Sequence, residues 1–462
     1  MKKANLTVVI VAVIVAGLGL CGNRTSADPN AVVTDFTGKP RVNLSGSCPL
    51  IKYIYTADAS AIVENGRVYV FMSHDKNNAT KYTMDDVACI SSSDMKNWRF
   101  EGMIYNHTQT TENLIWAPTV VKRNNTFYMY YGTGYSGNIG VASAPNILGP
   151  YTYKGILYHD TSRKYTDPSV FIDDDSQAYI YYNGRVTIKY AKLSADMISL
   201  QTTPVDLPNS RFPDFIEGPT IVKIHGKYNL TWSEGRGSRK YNLLQNVSSS
   251  PDRDFKTSSM FMGEPTCNNQ SSIISFAGTN YSTYHNSNRT GSGFRRDVGI
   301  CYVKLNTNGT MDPVTATTAE VAQISYLNPY ITQRANEISD CNGIDFDPNA
   351  AVGDQYVVAS TGSWVKVSGV DFSTAPASVE ISAASPNSGQ TVQVRLDSPT
   401  GTIIATINVA NTGSWFTFGT FLATISRGPT GVHDVYFYYS GGLNHKTYKF
   451  NNLTGNLSAK VP

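Results

Sequence analysis

A short phrase recurs along the N-terminal part of this chain. A small or acidic residue, often followed by Pro, opens an apolar run that passes through a polar turn into an aromatic-rich strand. The copies are Asp58-Ala59-Ser60-Ala61-Ile62-Val63, Ala117-Pro118-Thr119-Val120-Val121, Asp167-Pro168-Ser169-Val170-Phe171 and Gly218-Pro219-Thr220-Ile221-Val222. A tyrosine follows each at nearly the same distance, as Tyr69, Tyr128, Tyr179 and Tyr228, and a looser fifth copy runs from Ser272-Ile273-Ile274 to Tyr284-His285. A strand-and-turn repeat of roughly 50 residues specifies propeller blades rather than a helical solenoid. Equivalent positions of successive blades converge on the central axis. Three copies carry a carboxylate at or beside their first position, Asp58, Asp167 and Glu217. The repeat therefore predicts three acids around one pocket, an active site.

The chain opens Met1-Lys2-Lys3, continues with an apolar run from Leu6 to Leu20, and reaches the small-residue stretch Thr25-Ser26-Ala27. These are the three parts of a secretory leader, so residues 1–27 are expected to be removed and the mature protein to be extracellular. No later run is long and apolar enough for a membrane span. Secretion makes one or two disulfides the expectation for Cys48, Cys89, Cys267, Cys301 and Cys341, with at least one thiol left over. A net charge of +3, only 16% charged residues and no basic run argue against nucleic acid or an anionic membrane as partner. The 29 tyrosines suit a carbohydrate-active protein, because flat rings cover the C–H faces of sugars while their polar edges stay wet.

The phrase fades after Cys301-Tyr302-Val303-Lys304-Leu305, which places the propeller domain over 28–315 and a Thr/Ala-rich linker over 316–325. Beyond it, short alternating strands such as Thr391-Val392-Gln393-Val394-Arg395-Leu396 and Val432-His433-Asp434-Val435-Tyr436-Phe437 are separated by Gly, Pro and Asn turns. That pattern predicts a β-sandwich over 326–456. No long amphipathic helix is evident, and the fold class is all-β.

Three carboxylates in one pocket suit glycoside hydrolysis. One acid must be protonated to donate to the departing oxygen, and another ionised to activate water or attack carbon. A third nearby can hold the acid's proton, since like charges resist simultaneous ionisation. An Asp before Pro at a strand start commonly only caps a turn, but recurrence at corresponding positions outweighs that reading. Glu217, in Phe215-Ile216-Glu217-Gly218-Pro219, has apolar neighbours and a longer reach and is the better general acid, while Asp58 is the better base. Asp173-Asp174-Asp175 is expected to be a solvated turn.

The segments Tyr55-Thr56-Ala57-Asp58, Trp116-Ala117-Pro118, Tyr165-Thr166-Asp167-Pro168-Ser169-Val170-Phe171, Glu217-Gly218-Pro219, Tyr284-His285-Asn286 and Phe294-Arg295-Arg296 occur in order. Together they resemble glycoside hydrolase family 43, five-bladed propeller enzymes acting on arabinose- and xylose-containing polysaccharides. The resemblance implies inversion of configuration with Asp58 as base, Glu217 as acid and Asp167 tuning the acid. It implies that Arg296 contacts the sugar and that His285 lies near the axis beside a calcium ion held through water, a structural metal in the propeller channel rather than a required cofactor. Trp116 is expected in the pocket wall. One departure stands out: Ala59 follows the first Asp where the family has Pro, which would loosen the turn carrying the base.

The C-terminal part resembles a family 6 carbohydrate-binding module through Gly362-Ser363-Trp364-Val365, Thr412-Gly413-Ser414-Trp415 and Gly431-Val432-His433-Asp434. The resemblance makes Trp364 and Trp415 an aromatic pair that sandwiches a sugar. Arg334 and Asn336 replace the acidic pair that holds calcium in that family. The expected function is a secreted, monomeric inverting glycosidase that removes α-L-arabinofuranosyl side groups from plant cell-wall arabinoxylan or arabinan. A β-xylosidase or mixed-specificity enzyme shares the same acids, a retaining fructan-cleaving propeller needs another nucleophile geometry, and a non-catalytic carbohydrate-binding propeller would have lost one of them.

Overall fold

The computed structural model describes residues 48–159, 165–184, 186–235, 241–263, 266–315 and 321–452. The expected leader at 1–27 lies outside the described residues. Five antiparallel sheets follow one another along residues 55–302, each beginning with the strand nearest a common channel. Those first strands are Tyr55–Glu64, Trp116–Arg123, Tyr165–Ile172, Phe215–Ile224 and Ser272–Phe276. All five contribute to the wall of the channel, through Ala59 to Ile62, Thr119 to Lys122, Ser169 to Ile172, Thr220 to Val222 and Gln270 to Ile273. Within each sheet the chain then steps outward by hairpins, so β-branched and aromatic residues pack blade against blade. Tyr69, Tyr179 and Tyr228 of the repeat are buried in these seams.

A serine hydroxyl two residues after the opening position stitches adjacent first strands together in three places. The Val120 N–H donates to Ser60 Oγ (3.3 Å), the Ile221 N–H to Ser169 Oγ (3.4 Å) and the Ala61 N–H to Ser272 Oγ (3.0 Å). The last of these joins the fifth sheet to the first and closes the ring, helped by the Leu50 N–H donating to the Val298 carbonyl (2.9 Å).

The C-terminal part is the expected sandwich. One sheet contains Ser378–Ala384, Gly419–Thr424 and Leu443–Asn451, and the other Trp364–Phe372, Gln390–Leu396, Ile403–Val409 and Gly431–Tyr439. Alternating residues point inward, so Val365, Val367, Val392, Val394, Phe437 and Phe450 are fully enclosed. Among the described residues helix is confined to the short 3-10 turns His107–Gln109, Gly134–Ser136 and Asn209–Arg211.

Two expectations change. Cys48, Cys89, Cys267 and Cys301 are buried thiols and Cys341 is buried too, so the expected disulfides are not formed among the described residues. Burial pushes the Cys48 and Cys89 thiols well up and raises those of Cys267 and Cys301 to about 12. Asp173 is not simply a solvated turn residue, because it accepts from Lys223 Nζ (2.6 Å) and from the Tyr228 hydroxyl and so braces the third sheet to the fourth. Asp174 and Asp175 remain exposed.

The two parts are joined by more than the connection between them. Glu337–Ile338 adds a strand to the first sheet beside Trp98–Asn106, and the described end of the connection is docked through Gln323 Nε2 to Asp94 Oδ2 (2.9 Å). Asn97, fully buried, donates through Nδ2 to Asp94 Oδ2 (2.7 Å) and to the Ser368 carbonyl (2.9 Å), and accepts from the Ser368 N–H (2.8 Å). Asn97→Ala would leave the Ser368 N–H buried and unpaired and take from the Ser368 carbonyl one of its two donors, the other being Gln323 Nε2 (3.0 Å). It should destabilise the protein by about 3 kcal/mol and lower the melting temperature by several degrees in a thermal melt.

Candidate active site

Asp58 and Asp167 occupy one structural position, a β-bulge where the first strand slips register against the second. Their φ angles are 54° and 55°, and Ala117 (45°) and Gly218 (64°) take the same left-handed place in the second and fourth sheets. Aspartate tolerates this conformation better than most residues. At Gly218 it is obligatory for a further reason, since a Cβ there would stand 2.7 Å from the Asn269 carbonyl oxygen. The bulge turns each side chain from the sheet toward the axis. Ala59 leaves this geometry unchanged, because Asp58 keeps the same φ as Asp167, which precedes Pro168. Glu217 comes one residue before the bulge, at the position Trp116 holds in the second sheet, and its extra methylene makes up the offset. Asp58, Trp116, Asp167, Glu217 and Arg296 line one cavity, with Tyr82, Met84 and Asn268 completing its wall.

Asp58 is built to stay ionised. Burial opposes its charge, but the Arg296 guanidinium, His285 and the Ser73 hydroxyl overcome it and hold the carboxyl below the ordinary aspartate value. Arg296 donates through Nη1 to Asp58 Oδ1 (3.0 Å) and through Nη2 to Oδ2 (3.3 Å), and grips Asp75 with Nε and Nη2 (both 2.9 Å). Its side chain is 1% exposed. The expected sugar-contacting arginine is thus a strut between two carboxylates that also lines the cavity, with one Nη1 hydrogen outside these bonds. Ser73 Oγ donates to Asp58 Oδ2 (2.9 Å) and accepts from the Ala117 N–H (2.8 Å), tying the base to the next sheet.

Asp167 and Glu217 face the opposite regime. Burial, then the charges of Glu217 and Asp58, push Asp167 well above the usual carboxylate range. Burial, with a further contribution from Asp58, raises Glu217 despite the Asn268 amide and Arg296. Ionising both beside the Asp58 anion would put three negative charges in one enclosed space, so the pair retains a proton and titrates as a unit. The Gly218 N–H donates to Asp167 Oδ2 (3.3 Å), and the Asn268 side-chain amide donates to Glu217 Oε1. Glu217 Oε2 is left as the oxygen to carry a proton toward a substrate.

Asn268 escaped the sequence reading, and it links the two halves of the site. Its backbone carbonyl meets His285 Nε2, and His285 Nδ1 accepts the backbone N–H of Asp58 (3.1 Å). These partners fix the Nε2–H tautomer, and burial, joined by the Arg296 charge, lowers His285 to about 4. The continuous path runs from the backbone of the base through His285 and Asn268 to the acid. The signal for Asn268 was present only as register: Ser272 matches Ser60 in the hydroxyl stitching, so Asn268-Asn269-Gln270 runs into the fifth opening position.

A calcium ion ligated directly by His285 does not fit this arrangement, which leaves only the expected contact through water. Both ring nitrogens already have protein partners, and no group of three His, Cys, Asp or Glu side chains able to hold a metal occurs among the described residues. In the sandwich, Arg334 pairs with Asp354 (2.9 Å) and Asn336 Nδ2 donates to the Phe100 carbonyl (2.8 Å), so these positions serve packing at the seam. Trp364 packs on Tyr436 with ring centroids 5.3 Å apart, and Asn342 and Tyr438 are its cross-strand neighbours. Trp415 sits in the turn before Gly419–Thr424 on the other sheet, its carbonyl accepting from Asn444 Nδ2 (2.7 Å). Trp364 opens a strand of one sheet, and Trp415 lies in the loop that leads from Ile403–Val409 of that sheet to Gly419–Thr424 of the other.

Residues 49–311 match glycosyl hydrolases family 43, more than half of the chain, and residues 334–454 match the carbohydrate binding module of family 6. The chain belongs to glycosyl hydrolase family 43. It is a glycoside hydrolase with an appended family 6 module. An arabinoxylan arabinofuranohydrolase of Paenibacillus polymyxa is 28% identical, the match covering 92% of this chain and 78% of the relative. The Bacillus subtilis arabinoxylan arabinofuranohydrolase is also 28% identical, over 88% of this chain and 92% of its own length. A crystal structure of a family 43 arabinoxylan arabinofuranohydrolase from Bacillus subtilis, in complex with cellotetraose, superposes with a TM-score of 0.80 at 27% identity and covers 92% of this chain and all of that one. The likeness establishes the propeller fold of the first domain.

The Asn268 amide favours the ionised form of Glu217, so Asn268→Ala should raise the acid's pKa. The alkaline limb of the kcat/KM profile should move to higher pH while the acid limb, set by Asp58, stays in place. A pH–rate profile of the two proteins checks the sign.

Proposed function

We propose that this family 43 enzyme is a secreted, inverting α-L-arabinofuranosidase that removes arabinofuranosyl side groups from arabinoxylan. The observation that carries the reading is the division of environment within one cavity: the Arg296 guanidinium grips Asp58 and holds its carboxyl low, while burial and neighbouring negative charge push Asp167 and Glu217 upward. Glu217 donates that proton from Oε2 to the glycosidic oxygen as the bond to the anomeric carbon breaks. Asp58 takes a proton from a water that forms the new bond at that carbon from the opposite face. Between turnovers Asp58 releases the proton it took to solvent and Glu217 takes one up, an uptake that the nearby Asp167 favours by keeping the acid's pKa high. Each proton is moved by a carboxylate of this chain. Two relatives named as arabinoxylan arabinofuranohydrolases across most of the chain support arabinose as the sugar removed. The family 6 module supports a polymeric substrate, since tethering near a polysaccharide raises its local concentration. The leader-like start at 1–27 supports secretion.

Incubation with arabinoxylan should release free arabinose. Glu217→Gln, nearly isosteric, should lower that rate by about 10²- to 10⁴-fold, the contribution of a general acid, with the melting temperature kept. Release of xylose from xylo-oligosaccharides without arabinose from the polymer would give the β-xylosidase reading instead, and full activity of the variant would remove Glu217 as the acid.

A further inference from the structure

Aromatic rings run outward from the catalytic cavity in an unbroken row. Phe294 packs edge-on against Tyr82 (4.9 Å between centroids), Tyr82 against Trp116 (5.8 Å), and Trp116 against Tyr135 (5.1 Å). Tyr82 and Trp116 belong to the cavity wall, so the row is continuous with the site of bond cleavage. Its inner part rests on the strut that fixes the base, the Arg296 guanidinium lying 5.2 Å from the centre of the Tyr82 ring. Its outer end is Tyr135, 62% exposed.

Packing does not explain an exposed ring on so firmly held a turn. The Thr133 N–H donates to the Asn138 carbonyl (3.0 Å), the Gly137 N–H to the Gly134 carbonyl (3.0 Å), and the Asn138 N–H to Thr133 Oγ1 (2.9 Å). Ser136 Oγ bonds the Thr133 carbonyl and Glu112 Oε2 (both 2.9 Å). Tyr135 is therefore presented in one place at little entropic cost to a ligand. Beside it, Trp116 Nε1 is buried without a hydrogen-bond partner among the described residues. Rings in series with polar edges match a chain of pyranose units, which offer C–H faces to stacking and hydroxyls to donors and acceptors.

We propose that Tyr135, with Trp116, forms a binding site for the unbranched β-linked pentose main chain on either side of the residue bearing the cleaved group. The identity of that chain rests on the arabinoxylan reading above. Tyr135 is then a specificity-determining residue, favouring side groups on a polymer over those on a small aglycone.

The test measures linear xylo-oligosaccharides as competitive inhibitors of the hydrolysis of whichever p-nitrophenyl pentofuranoside or pentopyranoside the full-length enzyme cleaves. Tyr135→Ala should raise the inhibition constant about tenfold, the size expected for losing one buried ring face. Tyr135→Phe, which keeps the ring, should stay within about twofold of the wild type. Equal constants for wild type and Tyr135→Ala, or no inhibition of the wild type, would overturn the proposal. If the tenfold effect appears while arabinoxylan yields no arabinose, the substrate reading fails and the main-chain site stands.

Discussion

One buried cation between two buried carboxylates organises the site. Arg296 joins Asp58 to Asp75 with its side chain almost fully enclosed, and its own backbone N–H also donates to Asp75 Oδ2 (2.8 Å). Taking three charges out of water is expensive, and the arrangement persists only because the partners satisfy one another. The return is a carboxylate kept ionised inside a cavity whose other acids are driven toward neutrality. The same guanidinium supports Tyr82 and so the aromatic row at the mouth of the cavity. The fold supplies the pieces from distant parts of the chain, Asp58 and Asp75 from the first sheet and Arg296 from the edge of the fifth, so this ion triad also helps to close the ring.

The opposite pKa directions of Asp58 and the Asp167–Glu217 pair follow from where the cation stands. Arg296 contacts Asp58 directly, while Asp167 and Glu217 meet backbone and amide donors and each other's charge. Like residues thereby acquire unlike roles through environment. The His285–Asn268 path gives the base and the acid a common mechanical frame, since moving either carboxylate disturbs the hydrogen bonds of the other. Aromatic walls then decide what reaches them.

Much of this was legible because a propeller writes its geometry as a period. Asp58, Ala117, Asp167 and Gly218 are matching positions in the sequence and share one left-handed bulge in the structure, so the convergence of the acids could be read from the repeat alone. The offset of Glu217 by one residue was legible too, beside Gly218, but the left-handed bulge that turns these positions toward the axis was not, because bulges change register without changing composition. Asn268 precedes the loosest copy and shows its place only through the Ser272 hydroxyl stitch. Arg296 was legible as a site residue but not as a strut, because its carboxylate partners Asp58 and Asp75 are far away in sequence. Cysteine number and a leader-like start suggested disulfides, yet pairing depends on which thiols meet, and these lie enclosed in packed interior. The sandwich was visible in its alternating strands, while the placing of Trp415 in a loop that crosses between the two sheets depends on strand order.

The central claim is that an ionised Asp58 and a protonated Glu217 act from opposite faces of one sugar. It is tested most directly by following the anomeric proton of the first sugar released from an α-L-arabinofuranoside by NMR, before mutarotation. The account predicts that the β-anomer appears first and the α-anomer grows in afterwards. Initial formation of the α-anomer would contradict it, because retention requires a carboxylate to bond the sugar rather than to activate water.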